Sequence, residues 1–323
     1  MTISVLLLFA AGLALISFGA NMLVSSTEKI SEKYNISYFL SSFIFIGLAT
    51  SSPEIVISII SSLDGKSNIA IGNALGSNIA NIALVLAVSY LLLKKDDSST
   101  NKTIDKETYG FIFFLIIIGI VLIPLLSDGV FVFNEAILLI LVFLTLIFLY
   151  KKFFYQQNND RNKNITSNYI SGLKIIFTLL FGLSILLLGT EIFLNSSISM
   201  AKYFRISDYI IGLSITAIGT SIPELASSIE SVRKKNVDFI IGNVLGSNIF
   251  NFTIVIGTAG LLSFTQEPLF IKDLIRDMIM ILITMIGFYT IIKNYNYLIT
   301  KITCLLLLLL FMVYQITLYG IGI

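Results

Sequence analysis

Two glutamates stand inside apolar stretches of this chain. Glu54 follows Thr50, Ser51 and Pro53 in ATSSPEIVIS, which begins at Ala49 within an apolar run from about Phe39 to Ile60. Glu224 follows Thr220, Ser221 and Pro223 in GTSIPELASS, which begins at Gly219. On a helix, hydroxyls and a carboxylate four or fewer residues apart share a face. Proline lacks an N–H and clashes with the carbonyl four residues back, here that of Ala49 or Gly219. Carbonyls near 47–50 and 217–220 are therefore expected to leave the helix ladder. Irregular backbone at membrane depth is tolerated only where it is buried in protein or lines a cavity. Freed carbonyls, hydroxyls and one carboxylate make an all-oxygen half-site, and the chain has two of them.

A second pair of segments supplies more oxygen. Residues 71–81 read IGNALGSNIAN and residues 241–251 read IGNVLGSNIFN, with nine of eleven positions identical. Asn73, Ser77 and Asn81 form a polar stripe at i, i+4 and i+8; Asn243, Ser247 and Asn251 form its counterpart. Gly72 with Gly76, and Gly242 with Gly246, are small-xxx-small pairs that favour close helix packing over ligation. Asn78 and Asn248 lie off the stripe and are expected to make hydrogen bonds between helices. Asn73 and Asn243 lie on it but nearer the outer end, and pattern alone leaves them open between ligation and packing.

Oxygen-only donors suit hard cations, and calcium takes about 6–8 of them. With no histidine, and with Cys304 the lone cysteine, the chain offers little to soft metals. The two carboxylates carry −2, which one divalent ion neutralises. A buried carboxylate is costly alone, so it is kept to hold a cation. The rival reading is a protonated structural carboxyl, and for the Ser and Thr residues a hydroxyl bonded to the carbonyl four residues earlier. An empty site resists crossing the membrane. A site filled by Ca2+, or by at least two Na+ or protons, does not. That arithmetic describes an antiporter rather than a leak.

These residues need elements to hold them. The chain has 323 residues, of which 56% are hydrophobic and 12% charged, with mean hydropathy +0.93. Apolar runs of about 20 residues, long enough to cross a bilayer, recur throughout. The reading is an all-α membrane protein with ten transmembrane helices, at roughly 3–24, 38–62, 69–93, 109–126, 130–150, 170–195, 208–232, 238–263, 273–293 and 298–319. Sixteen of the 21 Lys and Arg residues then fall on one side, which is read as the cytoplasm. Both termini are expected outside. A net charge of +2 and no strongly basic patch exclude nucleic acid as a partner. Residues 1–24 lack the basic start of a signal peptide and are expected as a mature helix.

The same offset of 170 residues also pairs Gly12 with Gly182, Gly19 with Gly189, and Thr50, Pro53 and Glu54 with Thr220, Pro223 and Glu224. The halves are residues 1–150 and 170–323, joined by a cytoplasmic linker at 151–169. Five spans per half is odd, so the second half enters the membrane from the opposite face. Two inverted five-helix repeats place a site near the midplane, where the copies meet. Other acids look peripheral: Glu230 beside Arg233 and Lys234, and Glu191 and Glu135 near span ends.

The paired motifs GLATSSPE with GNALGSNIAN, and AIGTSIPE with GNVLGSNIFN, resemble the two α-repeats of the cation/calcium exchanger superfamily, in its compact prokaryotic sodium/calcium exchanger form. The resemblance implies ion ligation by the carbonyls of Gly47, Thr50, Ala217 and Thr220. It also implies ligation by the side chains of Thr50, Ser51, Glu54, Ser77, Asn81, Thr220, Ser221, Glu224, Ser247 and Asn251. It implies exchange of Na+ for Ca2+ by alternating access, with residues 3–24 and 170–195 sliding across the core. It implies no cofactor, inorganic cations and the lipid bilayer as partners, and a working monomer in the cell membrane. Gly47 and Ala49 depart from the family's AxGTS, and Asn251 replaces an aspartate of some relatives. A calcium/proton exchanger using the same glutamates is the nearest alternative. An intramembrane protease lacks a histidine and an HExxH motif, and a channel would not need an occluded carboxylate pair.

Overall fold

The computed structural model describes residues 3–94, 106–127, 131–153, 171–204, 219–263, 271–293 and 296–320. Every regular element among them is helical: α1 (Ile3–Tyr34), α2 (Tyr38–Thr50), α3 (Ser52–Leu63), α4 (Ser67–Leu92), α5 (Lys106–Ser127), α6 (Phe133–Phe153), α7 (Gly172–Tyr203), α8 (Ile222–Arg233), α9 (Val237–Leu262), α10 (Ile271–Lys293) and α11 (Tyr297–Gly320). Seven of these are long and apolar enough to cross a membrane, and the bent pair α2–α3 makes an eighth. The protein is a multi-span helical membrane protein. The first half of the expected seventh span, with Ala217, lies outside the described residues, as does most of the 151–169 linker.

Two helices outrun the sequence reading. α1 and α7 each have 32 residues, about 48 Å at the helical rise. The serines and threonines beyond the expected span ends at 24 and 195 do not interrupt the helix, because their hydroxyls bond carbonyls one turn back. Thr27 does so to Leu23 at 2.9 Å, Ser196 to Ile192 at 2.8 Å and Ser197 to Phe193 at 2.7 Å. α1 ends only where Asn35 takes a positive φ of 51°. Glu191 lies inside α7 with its side chain exposed. Glu135 does sit in the first turn of α6, where its carboxylate accepts the Val132 N–H at 2.9 Å.

α1 and α7 cross with their backbones nearly touching. A Cβ on Gly19 would fall 2.5 Å from the Leu186 nitrogen, and one on Gly189 2.7 Å from the Ile16 nitrogen. Their apolar faces form one cluster with Ile46, Ala49 and Phe239. A second, larger cluster joins α2, α4, α5, α6, α9, α10 and α11. The long pair thus lies over the site-bearing helices as a unit with its own apolar contacts.

Lys301 closes one end of α4. Its ammonium donates to the carbonyls of Tyr90 at 2.8 Å, Leu91 at 2.6 Å and Leu93 at 2.9 Å, where the helix has run out of N–H partners. Removing those bonds with Lys301→Met is expected to lower stability by about 1–3 kcal/mol. Thermal unfolding of the purified variant in detergent measures this, and an unchanged midpoint contradicts it.

Candidate functional site

The two prolines break their helices as the sequence predicts. Ser51 leaves helical geometry at φ −80°, ψ 2°, and Ser221 does so at φ −91°, ψ 5°. α2 and α3 meet at 43°. Pro53 has no N–H to offer Ala49, whose oxygen is retaken by the Ser52 hydroxyl at 2.7 Å. Gly47 keeps the N–H of Ser51 at 3.1 Å and also accepts the Ser247 hydroxyl at 3.3 Å.

Both glutamates fall in the first turn of the helix that restarts after the break. The free N–H groups and positive dipole end of such a helix favour a carboxylate without adding a counter-charge. Ser51 and Ser221 occupy the N-cap positions, yet neither hydroxyl caps its helix, which leaves both for other partners. Asn81 and Asn251 each open a short π-helical segment, a local widening often found at functional sites.

Helix contacts bring the halves together. A Cβ on Gly242 would lie 2.4 Å from the Phe39 oxygen, and one on Gly246 2.5 Å from the Phe43 oxygen. Gly47 faces Gly246 in turn. α9 therefore presses directly on the α2 backbone, which brings Thr50 Oγ1 within 3.3 Å of Ser247 Oγ. In the other half, Ser77 donates to Glu54 Oε1 at 3.2 Å. Thr50 and Ser247 lie close to the Glu224 carboxylate, though neither hydroxyl is hydrogen-bonded to it.

Among the expected site residues, Ser247 meets Gly47 and Thr50 across the halves, and Ser77 meets Glu54. Thr50, Ser51, Glu54, Ser77, Asn81, Ser221, Glu224, Ser247 and Asn251 are all buried, as is Gly47. Thr220 is half-buried, and Ala217 cannot be placed with them. Burial leaves many of these atoms unsatisfied. Glu54 Oε2, both Glu224 oxygens, both amide atoms of Asn81 and of Asn251, and the Ser51 and Ser221 hydroxyls have no hydrogen-bond partner. Those nine are more than half of the seventeen such buried atoms among the described residues. Each lone orphan costs about 1–3 kcal/mol. Such a concentration fits a ligand-binding cavity, not a finished protein core. No third acidic side chain joins the two glutamates, and no cluster of three or more His, Cys, Asp or Glu exists among the described residues. A cation here would meet two carboxylates and otherwise neutral oxygens, the donor set of a hard ion.

The off-stripe asparagines behave unequally. Asn78 donates to the Asn248 carbonyl across the helix interface at 3.3 Å, as expected, whereas the Asn248 amide has no partner. Sequence reasoning left Asn243 open, and the structure gives it three partners. Glu230 pairs with Arg233 at 3.3 Å, as expected, whereas the polar tie from α8 to α1 was missed: Asn21 donates to Glu230 at 2.9 Å, Arg233 reaches Ser17 at 3.3 Å, and Lys234 pairs with Glu28 at 2.5 Å. The lone asparagine of the apolar stretch in α1 was the available signal.

Comparison with known proteins supplies independent findings. Residues 4–151 and 174–320 match the profile of a family described as sodium/calcium exchanger protein. The chain is 30% identical over 259 residues to the putative antiporter CaxA of Alkalimonas amylolytica, spanning 78% of this chain and 79% of that one. It is 29% identical over 317 residues to the sodium/calcium exchanger MaX1 of Methanosarcina acetivorans, spanning 82% and 85%. Its fold is similar to that of the sodium-calcium exchanger NCX_Mj soaked with 2.5 mM Na+ and 0.1 mM Ca2+. The TM-score is 0.73 at 26% identity, over 97% of this chain and 98% of that one.

Proposed function

This chain belongs to the sodium/calcium exchanger protein family, and from that premise we propose that it exchanges Na+ for Ca2+ across the cell membrane by alternating access. It is a transporter of inorganic cations and not an enzyme, and the two ions are its substrates. The observation that carries the reading is the cluster of unpartnered oxygens around Glu54 and Glu224. Calcium, or a set of sodium ions, supplies what those oxygens lack and cancels the paired negative charge.

In this reading the ligands are the carbonyls of Gly47, Thr50, Ala217 and Thr220, and the side chains of Thr50, Ser51, Glu54, Ser77, Asn81, Thr220, Ser221, Glu224, Ser247 and Asn251. The chain is two inverted five-span repeats, residues 1–150 and 170–323, joined by the cytoplasmic segment 151–169, with both termini outside. Features at corresponding positions support the repeat: the breaks at Ser51 and Ser221, the π-helical openings at Asn81 and Asn251, and the positive φ of Gly65 and Lys235. Each half contributes one carboxylate, so a single chain completes the site and acts as a monomer. The α1–α7 pair moves across the remaining helices to expose the site to either face. The close glycine-lined crossing of α1 on α7 supports movement of the two as one piece.

Calcium uptake into proteoliposomes tests the coupling. An outward Na+ gradient is expected to drive 45Ca2+ uptake in the presence of a proton uncoupler. Uptake that ignores Na+ and follows a pH gradient instead would assign the glutamates to a calcium/proton exchanger.

A further inference from the structure

Asn243 stands beside the ion site and joins the two halves of the chain. Its Nδ2 lies 3.1 Å from the Glu224 carbonyl oxygen and 2.9 Å from Ser228 Oγ, while its Oδ1 lies 3.3 Å from Thr50 Oγ1. The orientation of the amide is forced. A carbonyl can only accept, so the NH2 must face Glu224 and Oδ1 faces the Thr50 hydroxyl, whose one proton it shares with the Ile46 carbonyl at 3.0 Å and the Gly47 carbonyl at 3.4 Å. One side chain therefore ties the backbone of one acidic residue to a hydroxyl facing its carboxylate from the other half. Asn243 is fully buried, so no water competes for these bonds.

The corresponding residue 170 positions earlier is Asn73, and its amide does none of this. Asn73 Nδ2 is buried without a partner. Its equivalents of Glu224 and Ser228 are Glu54 and Ser58, at the same separations along the chain. Yet the Ser58 hydroxyl is turned away, donating to the Val255 carbonyl at 2.7 Å. Two copies of one motif thus sit in different hydrogen-bonding states. A permanent structural role in both copies would satisfy both amides. One satisfied and one orphaned copy is what an inverted repeat shows when caught in one of its two access states.

We infer that Asn243 and Asn73 are reciprocal positioning residues: Asn243 fastens Thr50 to the Glu224 backbone in the access state of this structure, and Asn73 fastens Thr220 to the Glu54 backbone in the opposite state. The inference rests on the alternating-access reading. In each state one asparagine fixes a hydroxyl of one half beside the carboxylate of the other, and crossing the membrane exchanges one tie for the other.

The test uses Asn243→Ala and Asn73→Ala in proteoliposomes of known orientation, with the apparent KM for 45Ca2+ measured separately from each face against saturating Na+. Each variant loses the tie of one state only. Asn243→Ala is expected to raise KM by about three- to tenfold from one face, and Asn73→Ala by a similar factor from the other. Asn243→Gln, which keeps an amide, is expected to recover part of the loss, and thermal unfolding reports whether each variant folds. Because the Asn73 Nδ2 has no bond to lose in this state, its variant keeps the test open even if Asn243→Ala unfolds. Shifts from the same face in both variants, shifts below about twofold in both, or a lowered maximal rate with KM unchanged from both faces would overturn the inference. If wild-type vesicles show no Na+-driven uptake, the exchange reading itself has failed.

Discussion

Glu54→Gln and Glu224→Gln are each expected to reduce Na+-driven Ca2+ uptake by about a hundredfold or more, because a buried charge has lost its partner. The amide is nearly isosteric with the carboxyl, so packing around α3 and α8 is conserved. The electrostatics are not. With both carboxylates present, Ca2+ leaves the site neutral. With one, the loaded site carries an uncompensated positive charge at a position fully shielded from water, where no third acid among the described residues joins the pair to offset it. In the ion-free protein the wild-type pair repels, and the Gln variants relieve that repulsion. They are therefore expected to insert normally and to melt no lower than wild type without Ca2+, while losing the upward shift in melting temperature that Ca2+ gives wild type. Retained transport in both variants would show that the carboxylates are structural.

The other large effect is expected from one added methyl group. Gly246→Ala places a carbon 2.5 Å from the Phe43 carbonyl oxygen, on a rigid helix backbone rather than a flexible side chain. α2 and α9 must separate, and α2 carries Gly47 and Thr50. Overpacking of this kind costs about 1–3 kcal/mol. The functional cost is larger than the stability cost, because the Thr50–Ser247 contact and the Ser247–Gly47 bond span the same gap. Exchange is expected to be lost in protein that still purifies as a folded species. Full activity would mean that the close approach of these helices does not position the site.

Much of this arrangement was legible in the residues. The helical class followed from apolar runs, and the motif pairs pointed to buried polar residues, because polar atoms inside an apolar helix have few reasons to be there. The breaks at Ser51 and Ser221 followed from proline chemistry. What escaped notice depended on three-dimensional partners. Polar residues near Thr27 and Ser196 looked like span ends because composition does not reveal whether a hydroxyl bonds its own helix. The fate of the freed carbonyl depended on Ser52, an ordinary serine by pattern. Asn243 and Asn73 are indistinguishable in sequence, since their motifs are near copies. Only the fold reveals that one is bonded and the other is not.

The central claim is that the unpartnered oxygens around Glu54 and Glu224 are a cation site shared by calcium and sodium. Equilibrium 45Ca2+ binding to the purified protein tests it most directly, with wild type compared to the Glu54→Gln/Glu224→Gln double variant across a series of Na+ concentrations. The account predicts saturable Ca2+ binding to wild type that Na+ displaces, and none to the double variant. Calcium binding that survives the loss of both carboxylates, or that Na+ leaves untouched, would contradict it.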